Sequence, residues 1–179
     1  MWRRALPGLG LLVTVLTVWW PAGARWRSDD LLATHYASDL GRTLSDFAGP
    51  QYGATDIWLF YRPLITFAVW VERTVFEGLF AAPTAAGISD EAGLAFFAVL
   101  TNVLAHGITA VLLWRLWTRF ASAQKAWCIA RAWAVLPTHI EALWWGVGRV
   151  DSHTHVWIAL SLLCFVRWLE HRTRTRWPG

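Results

Sequence analysis

The chain has 179 residues, of which 56% are hydrophobic, and a formal net charge of +4. Its 15 tryptophans are far more than a soluble domain of this size normally contains, and many of them end apolar runs, as in the aromatic belts of membrane proteins. The basic residues lie at the ends of apolar runs rather than along one polar face, which argues against nucleic acid as a partner. Cys128 and Cys164 both lie within apolar runs, so they indicate small hydrophobic residues rather than a disulfide framework or a metal site.

Four apolar segments predict membrane helices, because a hydrocarbon core about 30 Å thick is spanned by roughly 20 helical residues. These segments are 5–22, 94–117, 126–147 and 155–169, and a large loop, 23–93, joins the first two. The sequence therefore predicts an all-α integral membrane protein. We expect about four transmembrane helices, with amphipathic surface helices in the large first outer loop.

The distribution of charge predicts the orientation in the membrane. Most basic residues outside the large loop fall on one side: Arg3, Arg4, Arg115, Arg119, Lys125, Arg172, Arg174 and Arg176. Nine of the twelve acidic residues fall in the loop: Asp29, Asp30, Asp39, Asp46, Asp56, Glu72, Glu77, Asp90 and Glu91. Since cytoplasmic loops are enriched in Lys and Arg, both termini are predicted to be cytoplasmic. The loop then faces the periplasm, the cell exterior or a lumen.

Two segments have a second interpretation. The first apolar run is followed by Ala22-Gly23-Ala24, which is also typical of a signal-peptide cleavage site. Pro63 begins a segment with apolar residues at helical spacing on one side, which predicts an amphipathic helix on the membrane surface. The alternative is that this segment spans the membrane, which would place Glu72 and Arg73 at mid-depth and reverse every later helix.

Asp29 and Asp30 are the strongest catalytic candidates. They follow the first apolar run, and Ser28 can cap a helix whose first turn contains both. A carboxylate at a membrane face can deprotonate a hydroxyl or an amine after a modest pKa shift. The alternative is a solvated helix start, where Asp is common.

A second cluster of ionisable residues follows Pro137, which is expected to kink the third apolar segment. His139 and Glu141 come within one turn of it, and ionisable residues at membrane depth are candidates for function. Arg149 and Asp151 follow on the outer side, where an arginine could hold a phosphate with two hydrogen bonds. The alternative is that Arg149 pairs with Asp151 or with a lipid headgroup.

Two pairs of residues are weaker candidates. Asn102 and His106 share a helix face, and hydrogen bonds between helices explain them better than catalysis does. His153 and His155 could contribute to a zinc site, but their spacing is not a recognised ligand pattern. We therefore assign no metal site and no cofactor from the sequence.

The order of these motifs resembles the N-terminal part of GT-C glycosyltransferases. It is closest to the tetratricopeptide-containing transmembrane protein O-mannosyltransferases and their bacterial relatives. The matching elements lie between about residues 26 and 170: the acidic pair, Tyr61-Arg62-Pro63-Leu64, Asn102-Val103-Leu104-Ala105-His106, Pro137-x-His139-x-Glu141-Ala142 and Gly148-Arg149-x-Asp151. Leu136 stands where this family has the first His of its His-Pro-x-His motif.

The resemblance implies an inverting transferase that moves a sugar, mannose in this branch, from a polyprenyl- or dolichyl-phosphate carrier to an acceptor such as a protein. Asp29 or Asp30 would be the base, and Arg62 and Arg149 would hold the carrier phosphate. His139, Glu141 and Asp151 would line the site. Family members have more membrane helices, so residues 1–179 would be an N-terminal portion. The competing predictions are a non-enzymatic membrane subunit or lipid-carrier-binding module, and an intramembrane hydrolase that uses His139, Glu141 and the outer histidines His153 and His155.

Overall fold

The computed structural model describes residues 6–25, 33–51, 62–80 and 89–176. These residues include seven α-helices: α1 Leu6–Val18, α2 Leu40–Ser45, α3 Pro63–Phe80, α4 Ser89–Trp117, α5 Ala123–Ala134, α6 Ile140–Trp144 and α7 Arg149–Arg176. Residues 33–36 are also helical. Short 3-10 turns at Pro137–His139 and Gly146–Gly148 flank α6. No strand occurs in the described ranges. The prediction of an all-α protein is therefore confirmed.

Helices α1 and α4 pack antiparallel through small residues. Gly8, near the start of α1, faces Trp114 near the end of α4. Gly107, in the middle of α4, lies against Val15 near the end of α1. Because neither glycine carries a side chain, side chains of the facing helix fit closely against the backbone at both positions.

Helix α5 runs in the same direction as α1. The Trp127 indole N–H near its start donates to the Pro7 carbonyl at 3.2 Å. The Ala134 carbonyl at its end accepts from the Trp19 indole N–H at 2.8 Å. The first turns of α1 and α5 therefore lie at one end of the bundle, and their last turns lie at the other.

Helix α7 completes the bundle and runs parallel to α4. Ser152, near the start of α7, contacts Asn102 in the middle of α4, and Arg119, beyond the end of α4, pairs with Glu170 near the end of α7 at 2.9 Å. Helix direction therefore alternates in the order α1, α4, α5, α7. We call the two ends the Arg149 end and the basic end. The basic end carries the exposed side chains of Arg115, Arg119, Lys125 and Arg172.

Residues 33–51 fold against α3. Ala33 and Ala37 are buried with Val69, and Trp70 packs against them. The Thr66 hydroxyl donates to the buried Asp46 carboxylate at 2.6 Å. The predicted helix after Pro63 is therefore present, and one of its faces is covered by the chain that precedes it.

The predicted helix 126–147 is wrong as a single element. Helix α5 ends at Ala134, and Leu136 has an extended conformation before the turn that begins at Pro137. A proline lacks the N–H of a helix interior and disfavours helical geometry in the preceding residue, so the segment divides into α5, a turn and α6. The segments predicted at 5–22, 94–117 and 155–169 correspond to α1, α4 and α7, of which the last two are longer than predicted.

Within the described residues, one helix is both long and apolar enough to cross a membrane. It comprises Ala92–Trp117 of α4 and has a mean hydropathy of 1.9 over its most apolar stretch, half of which is buried inside the protein. Helix α1 is apolar but shorter, at 13 residues.

Candidate functional site

A buried arginine forms the centre of the Arg149 end. Arg149 is the first residue of α7 and is only 1% exposed. Its Nε donates to the Gly146 carbonyl at 2.9 Å, and its Nη1 donates to the carboxylate of Glu72. This ion pair joins α3 to the start of α7, and both of its side chains are largely shielded from solvent.

Glu72 has a second donor on α4. The Thr101 hydroxyl donates to Glu72 Oε1 at 2.6 Å, so the two carboxylate oxygens are bonded to different helices. Burial raises the pKa of Glu72 above its ordinary value, and the charge of Arg149 opposes that rise. The positive charge of Arg149 therefore compensates the buried carboxylate of Glu72, and the carboxylate compensates the buried guanidinium of Arg149.

Asn102 extends this network toward the interior of the bundle. Its Nδ2 donates to the Trp145 carbonyl at 2.9 Å, and its Oδ1 accepts from the Ser152 hydroxyl at 3.3 Å. The prediction that Asn102 makes a hydrogen bond between elements is confirmed. We call Glu72, Thr101, Asn102, Arg149 and Ser152 the Arg149 cluster.

A close backbone contact places Arg149. A Cβ on Gly148 would lie 2.7 Å from the Glu141 carbonyl and 2.9 Å from that of Ala142. Only glycine fits there without displacing the backbone of α6. The 3-10 turn at Gly146–Gly148 can therefore pack tightly against α6, and this places the next residue, Arg149, in the interior of the bundle.

The Ala134 carbonyl, at the end of α5, accepts two side-chain hydrogen bonds. One donor is His106, which lies one turn after Asn102 on α4. In a continuing α-helix the Ala134 carbonyl would accept from the Thr138 N–H, but α5 ends at Ala134 and leaves this carbonyl without a helical partner. It accepts instead from the Trp19 indole at 2.8 Å and from His106 Nε2, which must then carry the proton, at 3.0 Å. The predicted hydrogen bond of His106 is also confirmed.

Three histidines and a tryptophan gather beside this carbonyl. His106 stacks on Trp133 with ring centroids 4.4 Å apart, and His139 lies 4.7 Å from both rings. His155 meets Trp133 edge-on at 6.0 Å. We call these four residues the histidine–tryptophan cluster. Since His106 follows Asn102 by one helical turn and His155 follows Ser152 by three residues, the two clusters are adjacent.

The histidines do not form a metal centre in the described part of the chain. No three His, Cys, Asp or Glu side chains come together there in an arrangement that could hold an ion. His139 has a buried Nε2 with no hydrogen-bond partner. The cluster is therefore a group of packed rings, of which His106 and Trp133 are stacked and the others are tilted or edge-on.

The structure brings together some of the predicted site residues and leaves others apart. Asp29 and Asp30 lie outside the described residues. Arg62 precedes α3 by one residue, and ten residues at about 1.5 Å each separate it from Glu72, so it lies about 15 Å along α3 from the position where Arg149 binds. The structure therefore does not bring Arg62 and Arg149 together.

The remaining predicted residues differ in their surroundings. His139 is half-buried in the histidine–tryptophan cluster, whereas the side chains of Glu141 and Asp151 are exposed. Arg149 pairs with Glu72 rather than with Asp151, so the sequence-based alternative of an Arg149–Asp151 pair is wrong. The buried position of Arg149 also corrects its expected place beside the lipid headgroups.

The sequence analysis did not identify the role of Glu72. Glu72 lies three residues after the buried Val69 and four before the half-buried Phe76. Residues at this spacing lie on one face of a helix, so Glu72 lies on the same packed face as Val69 and Phe76. This position could have indicated from the sequence that Glu72 is largely buried. Because acidic residues are rarely buried without a partner, Glu72 on such a face indicates a cation on the facing element.

Glu72 and its neighbour Arg73 connect α3 to different parts of the fold. Glu72 binds Arg149 of α7, whereas Arg73 Nη1 donates to the Thr34 carbonyl at 3.0 Å. Arg73 Nε also pairs with Glu77 at 2.6 Å, which orients the guanidinium. Helix α3 thus links the chain around Thr34 to the Arg149 cluster.

Comparison of this chain with protein-family models, curated proteins and solved structures finds no match. The resemblance to GT-C glycosyltransferases therefore stays a prediction from the sequence motifs.

Proposed function

We propose that the chain is the N-terminal part of an inverting membrane glycosyltransferase of the GT-C type. It would transfer a sugar, mannose in the branch that it resembles, from a polyprenyl- or dolichyl-phosphate carrier to an acceptor at the outer membrane face. The proposal has two parts, a location in the membrane and a reaction, and different observations support each.

Exposed apolar side chains support the membrane location. Helix α7 leaves Trp157, Phe165 and Trp168 more than half exposed, and α1 does the same with Leu6 and Leu9. Apolar patches of this extent are rare on soluble monomers. Lipid contact explains them, and the bundle then crosses the membrane four times, with α5 and α6 together as the third crossing.

Helix α3 has the features of a helix that lies on the membrane surface. Its exposed face carries Leu64, Val71, Val75 and Leu79, while Val69 faces residues 33–51. A surface helix presents such an apolar face to the acyl chains and keeps its remaining sides against water or protein. This arrangement favours the interfacial prediction over a membrane span.

The link through α3 is the observation that carries the proposed reaction. Arg73 holds the Thr34 carbonyl, and Thr34 follows Asp30 by four residues in the sequence. On the same helix, Glu72 holds Arg149. This link supports a site in which the segment that contains Asp29 and Asp30 works beside the Arg149 end rather than far from it.

In the proposed step, one carboxylate of the acidic pair removes the proton from the acceptor hydroxyl. The acceptor oxygen forms a bond to the anomeric carbon as the bond from that carbon to the phosphate oxygen breaks, and the anomeric centre inverts. The phosphate leaves on its lipid carrier and retains the bonding electrons. A base in this role typically contributes about 10²–10⁴-fold to the rate.

The other predicted residues have supporting roles in this proposal. Arg62 remains a proposed ligand of the carrier phosphate, and His139, Glu141 and Asp151 remain proposed lining residues. For Arg149, the ion pair with Glu72 favours a positioning role, because the pair orients α3 relative to α7.

The test is sugar transfer from a polyprenyl-phosphate donor by the full-length protein in membranes. We expect Asp29→Asn or Asp30→Asn to lower the rate by about 10²–10⁴-fold, because Asn keeps the size of the side chain and removes the base. Glu170→Gln, at the basic end, is the matched control and should transfer at the parent rate. Parent-rate transfer by both Asp variants, with the protein folded in the membrane, would overturn the mechanism.

A non-enzymatic lipid-carrier-binding module is the second candidate. The exposed apolar side chains of α1 and α7 favour it, because they support a place in the membrane without requiring any catalysis. Such a module would bind the carrier phosphate without any sugar transfer and would be insensitive to Asp29→Asn and Asp30→Asn. Binding and transfer assays on the same preparation therefore separate the two candidates.

A further inference from the structure

The basic end contains an apolar cavity that the proposed reaction does not use. It has a volume of about 460 Å³ and lies between α1, α4 and α5. Its walls include Pro7 and Gly10 of α1, Trp114 of α4, and Gln124 and Trp127 of α5. The Trp127 indole N–H is already bonded to the Pro7 carbonyl, so this part of the wall presents ring carbon to a ligand.

Cations border this cavity. Arg115 follows Trp114 and Lys125 follows Gln124, and the side chains of Arg115, Lys125 and Arg131 are exposed. The Arg131 guanidinium lies 5.0 Å from the centre of the Trp127 ring. Arg131 thus reaches back along α5 toward the basic end, as a snorkelling side chain does at a membrane surface.

No acidic residue balances these charges in the segments that form the walls. The sequence contains no Asp or Glu between residues 1 and 28 or between residues 92 and 140. The local charge is therefore positive beside an apolar recess. That combination is complementary to a molecule with an anionic head and a hydrocarbon tail.

We propose that this cavity binds an anionic phospholipid of the cytoplasmic leaflet. One acyl chain occupies the recess between α1, α4 and α5, and the phosphate lies among Arg115, Lys125 and Arg131. The proposal uses the membrane location that forms part of the proposed function, but it does not depend on sugar transfer. The lipid binds at the end opposite the Arg149 cluster, so it is distinct from the proposed donor.

Gly10 provides a variant that fills the cavity. A Cβ at Gly10 meets no atom within 4 Å, so Gly10→Leu extends into open space rather than into a packed core. The side chain would exclude about two CH₂ groups of the lipid chain, which corresponds to about a tenfold loss of affinity. Thr17→Leu is the matched control, because Thr17 lines a separate cavity of about 390 Å³ on the same helix.

The charged rim has its own variants. Lys125→Gln and Arg131→Gln remove exposed cations and leave the apolar walls intact. A basic residue near an anionic membrane surface contributes about a fivefold gain in affinity, so each variant should lose about that factor for an anionic lipid. Binding of a neutral lipid should not change.

The experiment is a lipid-binding titration of the full chain in detergent, read by native mass spectrometry. The probes are phosphatidylglycerol, phosphatidylcholine with the same acyl chains, and a polyprenyl phosphate. We expect phosphatidylglycerol to bind at least about fivefold more tightly than phosphatidylcholine, and this preference to fall in Lys125→Gln and Arg131→Gln. Gly10→Leu should weaken the binding of phosphatidylglycerol, whereas Thr17→Leu should leave it unchanged.

Three results would overturn the proposal. Equal binding of the two phospholipids would show that the site does not recognise an anionic headgroup. Unchanged phosphatidylglycerol binding in folded Gly10→Leu protein would show that the lipid does not occupy this cavity. Displacement of phosphatidylglycerol from this site by lower concentrations of polyprenyl phosphate would assign the cavity to the carrier. Each of these readings is independent of the Asp29→Asn and Asp30→Asn transfer assay, so the two proposals can fail separately.

Discussion

The guanidinium of Arg149 binds the carboxylate of Glu72 across 77 residues of sequence, and both side chains are nearly inaccessible, at 2% and 11% exposure. Two charges removed from water in this way stabilise a fold only while both are present. The pair therefore fixes α3 to α7 and makes each partner sensitive to loss of the other.

Glu72→Gln should destabilise the fold by about 3–5 kcal/mol, because it leaves the Arg149 charge buried without a counterion. Replacing both residues with leucine should cost less than Glu72→Gln alone. The measurement is unfolding in mixed micelles, followed by circular dichroism. The exposed pair of Arg119 and Glu170 provides the control, and its loss should cost less than about 1 kcal/mol. Equal effects at the two pairs would contradict the burial argument.

Arg149→Lys tests whether Arg149 positions α3 or binds phosphate. Lysine keeps the positive charge for Glu72 but loses the planar fork that also bonds the Gly146 carbonyl. We expect a loss of about 1–3 kcal/mol in unfolding free energy. A positioning role predicts that donor binding falls only as far as stability does. A tenfold loss of polyprenyl-phosphate affinity with stability unchanged would identify Arg149 as a direct ligand instead.

Gly148→Ala should destabilise the protein by about 1–3 kcal/mol, since its methyl group would overlap the carbonyls of Glu141 and Ala142. Gly78→Ala is the comparison, because Gly78 lies within α3 and a Cβ there meets nothing within 4 Å. That change should stabilise α3 by about 0.5–1 kcal/mol. If both substitutions move the unfolding midpoint in the same direction, the close contact at Gly148 does not constrain the turn.

The shared carbonyl of Ala134 predicts non-additive mutations. Trp19→Phe or His106→Phe alone leaves one donor on that carbonyl and should cost about 1 kcal/mol. The double variant leaves a buried acceptor unpaired, so its cost should exceed the sum of the single costs. A double-mutant cycle by chemical unfolding measures this difference. Simple additivity would show that Trp19 and His106 act independently.

The orientation of the bundle can be tested by cysteine labelling in intact cells. Ala48 belongs to the segment packed on α3, Thr118 lies at the basic end, and both are exposed. In a chain whose Cys128 and Cys164 are replaced by alanine, an impermeant reagent should label Ala48→Cys directly. It should label Thr118→Cys only after permeabilisation. The opposite result would reverse the proposed orientation.

The elements predicted well from sequence were those determined by local composition. Helix α4 is predominantly apolar from Leu94 onward and contains no proline, and its end at Trp117 was predicted to the residue. The i, i+4 spacing of Asn102 and His106 was enough to predict that each bonds a neighbouring element. Their acceptors, at Trp145 and Ala134, could not be predicted, because those contacts depend on the packing of helices distant in sequence.

The errors arose where long-range contacts decide the structure. Pro137 predicted a kink, but the extended Leu136 separates two helices because Trp19, 115 residues before Ala134, satisfies the freed carbonyl. Arg149 was expected at the surface, where lone arginines normally lie, because hydropathy does not reveal a partner such as Glu72. The sequence of either segment alone does not show which residue of the other segment it contacts, so an ion pair of this kind could not be predicted.

The irregular stretch between α5 and α7 has a consequence for biogenesis. Non-helical backbone at membrane depth persists only where other protein groups satisfy it. Here the donors are Trp19, Asn102 and His106, which the ribosome makes before the stretch between α5 and α7 emerges. In the proposed membrane location, the earlier helices would therefore act as a template for this stretch, and a chain in which α4 inserted late would expose unpaired carbonyls to lipid during synthesis.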